Sequence, residues 1–218
     1  MHPDWARCVD RCRKANIFAV AVRTPAVHLD QAAVDTLMAA RVDVLNVLLD
    51  AATAETYCRV HQADYYDRVI ANLDRLAEAH QRAQQPQPLI VCEMTKTGET
   101  IAEMETFYDN WLSKTGAACL VGPSDYAGQW PDLAVMSMVP PKRFPCLRLF
   151  SRAMVLADGR VTVCDQDFRG QHVLGTLADS SLAALWRGTM MTAVRQSHRD
   201  GRYDGMALCP RCDEWHRP

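Results

Sequence analysis

The sequence of 218 residues has no long hydrophobic run, no excess of either charge and no recognisable targeting signal. The apolar run nearest the amino terminus, "IFAVAV" at 17–22, ends at Arg23 and is too short for a signal core or a membrane span. The 24 lysine and arginine residues nearly balance the 26 acidic residues, which gives a net charge of −2. These absences predict a cytoplasmic protein with neither a nucleic-acid surface nor a membrane surface.

Cysteine, in contrast, is abundant, with nine residues in the chain. In a reducing compartment structural disulfides are rare, so the thiols are expected to be free or bound to metal. Four of them lie toward the carboxyl terminus: Cys146, Cys164, Cys209 and Cys212. The last two form the C-x2-C pair "CPRC", a spacing typical of metal ligands. Four thiolates suit either Zn²⁺ or an iron–sulfur cluster, and the spacing alone leaves that choice open.

The first part of the chain alternates short apolar runs with stretches of helical periodicity. The predicted strands span residues 17–23, 42–50, 89–95 and 117–122. The predicted helices span residues 3–15, 30–40 and 64–84, and a further helix begins with a capping box formed by Thr100 and Glu103. Alternation of this kind predicts an α/β fold in which crossover helices connect the strands of a parallel sheet.

The composition changes after Gly122. Residues 123–132 and 139–145 are rich in proline and glycine, which is typical of a linker. We therefore predict an α/β region at residues 1–135 and a small cysteine-bearing module at residues 136–218.

The small module is predicted to contain one β-hairpin and one helix. Asp158 and Gly159 lie between two short apolar runs in "MVLADGRVTVCD", which predicts the hairpin turn. Asp179 and Ser180 are candidate caps for the helix that follows. A module of this size has a poor core, so a bound metal would stabilise it.

Two segments of the module carry a resemblance to a known family. "CLRLFSRAMVLADGRVTVCDQD" and "GTLADSSLAALWRG", followed by the C-x2-C pair, resemble the SPASM/twitch modules that follow the barrel of many radical SAM enzymes. The resemblance is strong over residues 140–212 and weaker over the preceding βα units. It implies a partial (β/α) barrel with parallel strands, followed by a small α+β SPASM/twitch module. It also implies one auxiliary [4Fe–4S] cluster, with Cys146, Cys164, Cys209 and Cys212 as its ligands.

Further cysteines after the C-x2-C pair, present in the longer SPASM modules, are missing, which points to the single-cluster twitch type. The resemblance implies the auxiliary-cluster portion of a radical SAM oxidoreductase or maturase, similar to the dehydrogenases of that family. The implied partners are a small-molecule or peptide substrate and an electron-transfer protein. A second class of function stays open: a non-catalytic protein with a structural zinc site of four cysteines that binds a partner.

The motif that cleaves S-adenosylmethionine is incomplete. Radical SAM enzymes use a C-x3-C-x2-C loop, whereas "CVDRCRKA" provides Cys8, Cys12 and then Ala15. Leu48 also stands where the family often has a serine that faces the ribose. We therefore expect that this chain does not cleave S-adenosylmethionine by itself, and that it is either a fragment of a larger enzyme or a protein that has lost radical chemistry.

Four charged residues are weaker candidates for substrate binding. Glu93 and Lys96 lie at the end of a predicted barrel strand, where barrel enzymes keep their active sites. Asp165 and Asp167 come just after Cys164 and so are close to the predicted cluster. An ordinary ion pair is the alternative for the first two, and solvated turn residues are the alternative for the other two.

Two histidines, His198 and His216, also fall in the cysteine-bearing module. Either is a candidate zinc ligand if one of the four cysteines does not bind the metal. Lone histidines are usually not ligands, so both are secondary candidates.

Overall fold

The structure, a computed structural model, describes residues 4–217 and divides into two compact units, Met1–Pro123 and Ser124–Pro218. The sequence places this division later, near residue 135. The difference arises because the start of the linker bonds within the second unit: the Ser124 hydroxyl donates to Gln166 Oε1, and Gln129 Nε2 donates to the Gln166 carbonyl, both at 2.7 Å. Within the described residues, no helix is both long and apolar enough to cross a membrane.

The first unit is built on a parallel four-stranded sheet in the order β1-β2-β3-β4. The strands are β1 (Ala21–Thr24), β2 (Val44–Leu48), β3 (Leu89–Thr95) and β4 (Ala118–Val121). The helices are α1 (Trp5–Lys14), α2 (Gln31–Ala40), α3 (Ala54–His61), α4 (Tyr66–Ala83) and α5 (Met104–Thr115). The predicted α/β class with parallel strands is confirmed.

One face of this sheet packs into the larger hydrophobic core. Leu45 and Val47 of β2 lie in register with Ile90 and Cys92 of β3, and all four are buried. Leu73 of α4 belongs to the same buried cluster. Alternate residues of each strand therefore point toward the helices, while the residues between them form the opposite face.

Strand β1 is shorter than predicted. It begins at Ala21, whereas the predicted strand begins at Ile17, which is exposed, and continues through Phe18, whose side chain is fully exposed. Because β1 is at the edge of the sheet, it pairs only with β2, and that register starts with Ala21 opposite Val44. Helix α3 lies in a segment for which the sequence predicted no element.

The capping box predicted at Thr100 and Glu103 is wrong. The Thr100 hydroxyl donates to the Thr95 carbonyl at 2.5 Å, and the Glu103 carboxylate accepts from the Ala52 backbone N–H at 2.7 Å. Both side chains therefore bond to other segments. The chain enters α5 through a 3-10 turn, Ile101–Glu103, instead.

The second unit contains a three-stranded antiparallel sheet, several short helices and its own buried core. The strands are β5 (Met154–Val155), β6 (Arg160–Thr162) and β7 (Val173–Thr176). The helical elements are α6 (Arg148–Ser151), α7 (Leu182–Arg187), α8 (Thr189–Arg199) and 3-10 turns at Cys209–Arg211 and Glu214–His216. The predicted hairpin is present as β5 and β6, with Gly159 at φ +85° in its turn. Strand β7 was not predicted.

The helix predicted after Asp179 and Ser180 begins later and is divided in two. Ser181 is the actual cap, since its hydroxyl accepts from the Ala184 N–H at 3.2 Å. Gly188, in an extended conformation at ψ 165°, separates α7 from α8. The side chain of His198, near the end of α8, is thereby placed in the interior of the unit.

Candidate metal centre

The four cysteines singled out in the sequence line a single cavity in the second unit. Cys146 precedes α6, Cys164 follows β6, and Cys209 and Cys212 flank a 3-10 turn in which the Cys212 N–H donates to the Cys209 carbonyl at 3.3 Å. The other lining residues are Arg143, Arg148, Leu149, Gln166, His198, Leu208 and Trp215. The fold therefore brings together four thiols that are up to 66 positions apart in the sequence, from 146 to 212.

Burial disfavours the thiolate form of Cys164, Cys209 and Cys212 in the metal-free protein. Burial and the negative charge of neighbouring groups, against the opposing effect of a backbone hydrogen bond from Gln166, raise the pKa of Cys164 from its ordinary value of 9.0 to about 12, with burial as the largest cause. Burial likewise raises the pKa of Cys209 and of Cys212 to about 11. Since a thiol binds metal as thiolate, any metal that enters this cavity must displace these protons.

A preformed site for a single metal ion is not found in the part of the chain that the structure describes. Among the side chains of residues 4–217, no group of three or more His, Cys, Asp or Glu is placed to hold one ion. Four thiolates around zinc, each about 2.3 Å from the metal, would lie only about 4 Å from one another. The four thiols thus line one cavity, and the described side chains contain no preformed site for a single ion.

His198 bridges two of the cysteine segments. Its Nδ1 accepts from the Cys146 backbone N–H at 3.4 Å, and its Nε2 lies 3.3 Å from Cys209 Sγ. The side chain is buried, and burial, with a contribution from Arg143, lowers the pKa of His198 to about 4. The sequence marked His198 only as a spare zinc ligand, because a contact across 52 positions leaves no local signal.

The buried guanidinium of Arg148 also lines the cavity, and it binds Asp165, one of the candidate residues named from the sequence. Arg148 donates to Asp165 at 2.6 Å and to Glu214 at 3.0 Å, and Arg152 donates to Asp165 at 2.9 Å. Asp165 is therefore held in an ion-pair network. The network joins the residue after Cys164 to a residue close to Cys212, and so it fixes the two ligand loops relative to each other.

Asp167 is fully buried and shapes the loop that follows Cys164. Its two carboxylate oxygens accept from the backbone N–H groups of Gln171 and His172 at 2.8 and 2.7 Å. The geometry explains Asp167 as a residue that orders the loop.

Glu93 and Lys96 do not form a pair with each other. Glu93 is buried in β3 and accepts from Arg23 of β1 and from Asn46 of β2, which makes a polar cluster on the face of the sheet away from the helices. The Lys96 backbone N–H donates to the Val121 carbonyl at 2.8 Å and continues the pairing of β3 with β4.

The residues that resemble part of the S-adenosylmethionine loop lie on a helix. Cys8 and Cys12 belong to α1, the first exposed and the second half-buried, and Ala15 is the residue at which that helix ends. Leu48 ends β2 in register with Glu93.

Comparison with known proteins agrees with this geometry. Residues 146–213 match the SPASM family, described as an iron-sulfur cluster-binding domain. An uncharacterized protein of Treponema pallidum (strain Nichols) is 27% identical over 173 residues, which cover 78% of this chain and 46% of that protein. The chain thus spans about half the length of the curated relative it matches.

Two solved structures share the fold at low sequence identity. The structure of anSMEcpe with bound AdoMet is similar with a TM-score of 0.62 and 12% identity, over 100% of this chain and 69% of the other. The structure of BtrN in complex with AdoMet and 2-DOIA gives a TM-score of 0.56 and 16% identity, over 98% and 80%. Residues 146–213 therefore match the SPASM iron–sulfur cluster-binding domain, and the chain shares its fold with these two AdoMet-bound structures.

Proposed function

We propose that Cys146, Cys164, Cys209 and Cys212 bind one auxiliary [4Fe–4S] cluster. The observation that carries this proposal is that the four thiols of the SPASM segment line one cavity. The family model that these residues match describes an iron-sulfur cluster-binding domain, which favours a cluster over a single zinc ion. The structural-zinc alternative is thereby the weaker of the two.

The donor set and the walls of the cavity fit such a cluster. Thiolates of cysteine are the usual ligands of [4Fe–4S] clusters. Leu149, Leu208 and Trp215 are buried around the cavity and limit the access of water. The buried Arg148 places a positive charge beside ligands that become negative when they lose their protons. When bound, the cluster supplies one-electron transfer.

The larger role that we propose is the auxiliary-cluster portion of a cytoplasmic radical SAM oxidoreductase or maturase. Its substrate is a small molecule or a peptide, and its electron partner is a small redox protein. The chain by itself lacks the third cysteine at Ala15 and a polar group at Leu48, so S-adenosylmethionine binds productively only when the C-x3-C-x2-C half is supplied. The greater length of the curated relative supports this view.

The experiment that tests cluster binding uses anaerobic reconstitution of the full chain with iron and sulfide. We expect about four iron atoms per chain and the broad visible absorbance of thiolate-bound iron. Replacement of Cys164 by alanine should remove most of the iron, because the cavity then loses one of its four thiolates.

Cys119→Ala is the matched control, since Cys119 lies in β4 of the other unit and does not line the cavity. Full iron content in the Cys164→Ala protein would show that the assignment is wrong. Zinc as the only metal in anaerobically purified protein would favour the structural alternative.

A further inference from the structure

His198 lies between the segments that carry two of the proposed ligands, Cys146 and Cys209, and is not itself one of the four proposed ligands. We infer that His198 donates a hydrogen bond from Nε2 to the Cys209 thiolate and thereby raises the reduction potential of the bound cluster. This inference rests on the proposed function, because it needs a cluster in the cavity. It assigns His198 as a positioning residue that acts on the cluster through a cysteine sulfur.

The tautomer of His198 follows from its hydrogen bonds. The Cys146 backbone N–H can only donate, so His198 Nδ1, at 3.4 Å, must accept and carries no proton. A neutral imidazole with an unprotonated Nδ1 has its proton on Nε2. The Nε2 atom lies 3.3 Å from Cys209 Sγ, and the bond between them therefore has nitrogen as donor and sulfur as acceptor.

The same argument excludes His198 as a metal ligand. A histidine binds metal through a ring nitrogen with a free lone pair. The lone pair on Nδ1 is taken by the Cys146 N–H, and Nε2 carries the proton. These two hydrogen bonds therefore argue against the role of spare zinc ligand that the sequence suggested for His198.

The ring is held in this orientation by its surroundings. Only 1% of the side chain is exposed, and the ring meets Tyr203 edge to face with ring centroids 4.8 Å apart. The Tyr203 hydroxyl donates to the His198 carbonyl at 3.5 Å, near the end of α8. Because water is excluded, the hydrogen bond to Cys209 has no solvent competitor and a fixed geometry.

The effect on the cluster has a definite sign. Reduction adds one electron to a cluster whose thiolate ligands are already negative. A hydrogen bond donated to a ligand sulfur stabilises the more negative, reduced state, so the potential rises. Both oxidation states accept this bond, so only the difference in its strength counts, and its loss should change the reduction equilibrium by up to about tenfold. For one electron, tenfold corresponds to about 59 mV.

Two substitutions distinguish the hydrogen bond at His198 Nδ1 from the hydrogen bond at His198 Nε2. In His198→Asn the side-chain oxygen can take the place of Nδ1 and still accept from the Cys146 N–H, but no donor reaches Cys209. In His198→Gln the longer side chain can place its NH2 group near the position of Nε2, so the donor to Cys209 is retained. His172→Asn is the matched control, because its ring lies outside the cavity.

The measurement is the reduction potential of the reconstituted full-length chain, followed by EPR during an anaerobic titration, with iron content determined for every protein. For His198→Asn we expect a lower reduction potential, which corresponds to a decrease of up to about tenfold in the equilibrium constant for reduction. For His198→Gln and His172→Asn we expect potentials close to that of the unsubstituted chain. Equal potentials for His198→Asn and the unsubstituted chain would overturn the inference.

An equal decrease of the reduction potential in both His198 variants, or loss of iron from both, would also overturn the inference. Either result would show that His198 has a structural role in holding the cavity together. Absence of iron from the unsubstituted chain is a different result, since it contradicts the proposed function itself.

Discussion

The Arg148 guanidinium and the Glu214 carboxylate form an ion pair of 3.0 Å in which each side chain is only 8% exposed. Arg148 also bonds to Asp165, the neighbour of Cys164, and Glu214 lies two residues after Cys212. The pair therefore joins two of the segments that carry the proposed ligands. It does so through protein atoms alone, so part of the cavity is held in place before any metal binds.

Replacement of Arg148 by alanine should lower the free energy of unfolding of the second unit by about 1–3 kcal/mol. It removes charge-assisted hydrogen bonds to Glu214 and Asp165, which keep their ion pairs with Arg217 and Arg152. Urea unfolding of the metal-free chain, followed by tryptophan fluorescence, measures the change. Arg202→Ala is the control, because Arg202 forms an ion pair with Asp200 but its side chain is 73% exposed. Loss of this exposed ion pair should lower the free energy of unfolding by at most about 1 kcal/mol. Equal midpoints for the two variants would contradict the prediction.

Replacement of Glu103 by glutamine should destabilise the first unit by about 1–3 kcal/mol, since a carboxylate that accepts from Ala52, Thr53 and Thr56 is lost. Burial pushes the pKa of Glu103 up, but the hydrogen bonds from Thr53 and Thr56 outweigh burial and lower it overall.

The lowered pKa of Glu103 gives its contribution a definite pH dependence. The contribution is present above the unfolded pKa, close to 4.5, and is lost as pH falls through the lower folded value. Denaturant unfolding between pH 7 and 3 should show a difference between the native chain and Glu103→Gln that shrinks in acid. Glu105→Gln, at an exposed neighbouring position, is the control substitution.

The buried thiols predict how the metal-free protein responds to alkali. Cys164, Cys209 and Cys212 have folded pKa values of about 11 to 12 against 9.0 when unfolded. Their contribution is intact below pH 9 and is lost as pH rises toward the folded values, because the unfolded chain releases protons first. Thermal unfolding from pH 8 to 11 should show this decline.

The slope of that decline should be smaller in Cys164→Ala, which has one thiol fewer to titrate. Metal loading at neutral pH should also release protons, measurable by calorimetry in buffers of different ionisation enthalpy. Proton release that is identical for the native chain and Cys164→Ala would count against a role for Cys164 in metal binding.

The 218-residue chain should make no 5′-deoxyadenosine from S-adenosylmethionine, even with a strong reductant. A cluster with four cysteine ligands has no open iron, and Ala15 cannot provide the third thiolate of a second cluster. Chromatography of the anaerobic reaction measures the product. A longer reading frame that includes a C-x3-C-x2-C loop should gain both a second cluster and the activity. Product from the chain alone would identify Cys8 and Cys12 as ligands after all.

Local patterns predicted the parts of the fold that local chemistry controls. Strand β3 spans residues 89–95 as predicted, since an apolar run after Pro88 suits a buried strand of a parallel sheet. The four cysteines that line one cavity could be named as candidate ligands because C-x2-C spacing and a hairpin turn are short-range signals. Helix α3 and strand β7 were missed, as neither segment has a strong apolar period or an unambiguous boundary.

Long-range partners were beyond the reach of the sequence. Arg148 finds Glu214 across 66 positions, and His198 finds Cys146 across 52, through packing that no short motif encodes. Thr100 and Glu103 match a capping box in spacing, but stronger partners in other segments take both side chains. Polar residues near the cavity could therefore be named from the sequence, whereas their actual bonds required the fold.

The unequal cores of the two units have a consequence for the protein in a cell. The first unit buries a broad apolar layer between its sheet and helices, whereas the second has a small core in which Cys146 itself is a member. On the proposed binding of a cluster by the second unit, a cell short of iron would produce chains with a stable amino-terminal part and a carboxyl-terminal part that opens readily to proteases. Limited trypsin digestion of iron-free chains should leave a fragment close to residues 1–123, so that turnover of this protein follows the supply of iron.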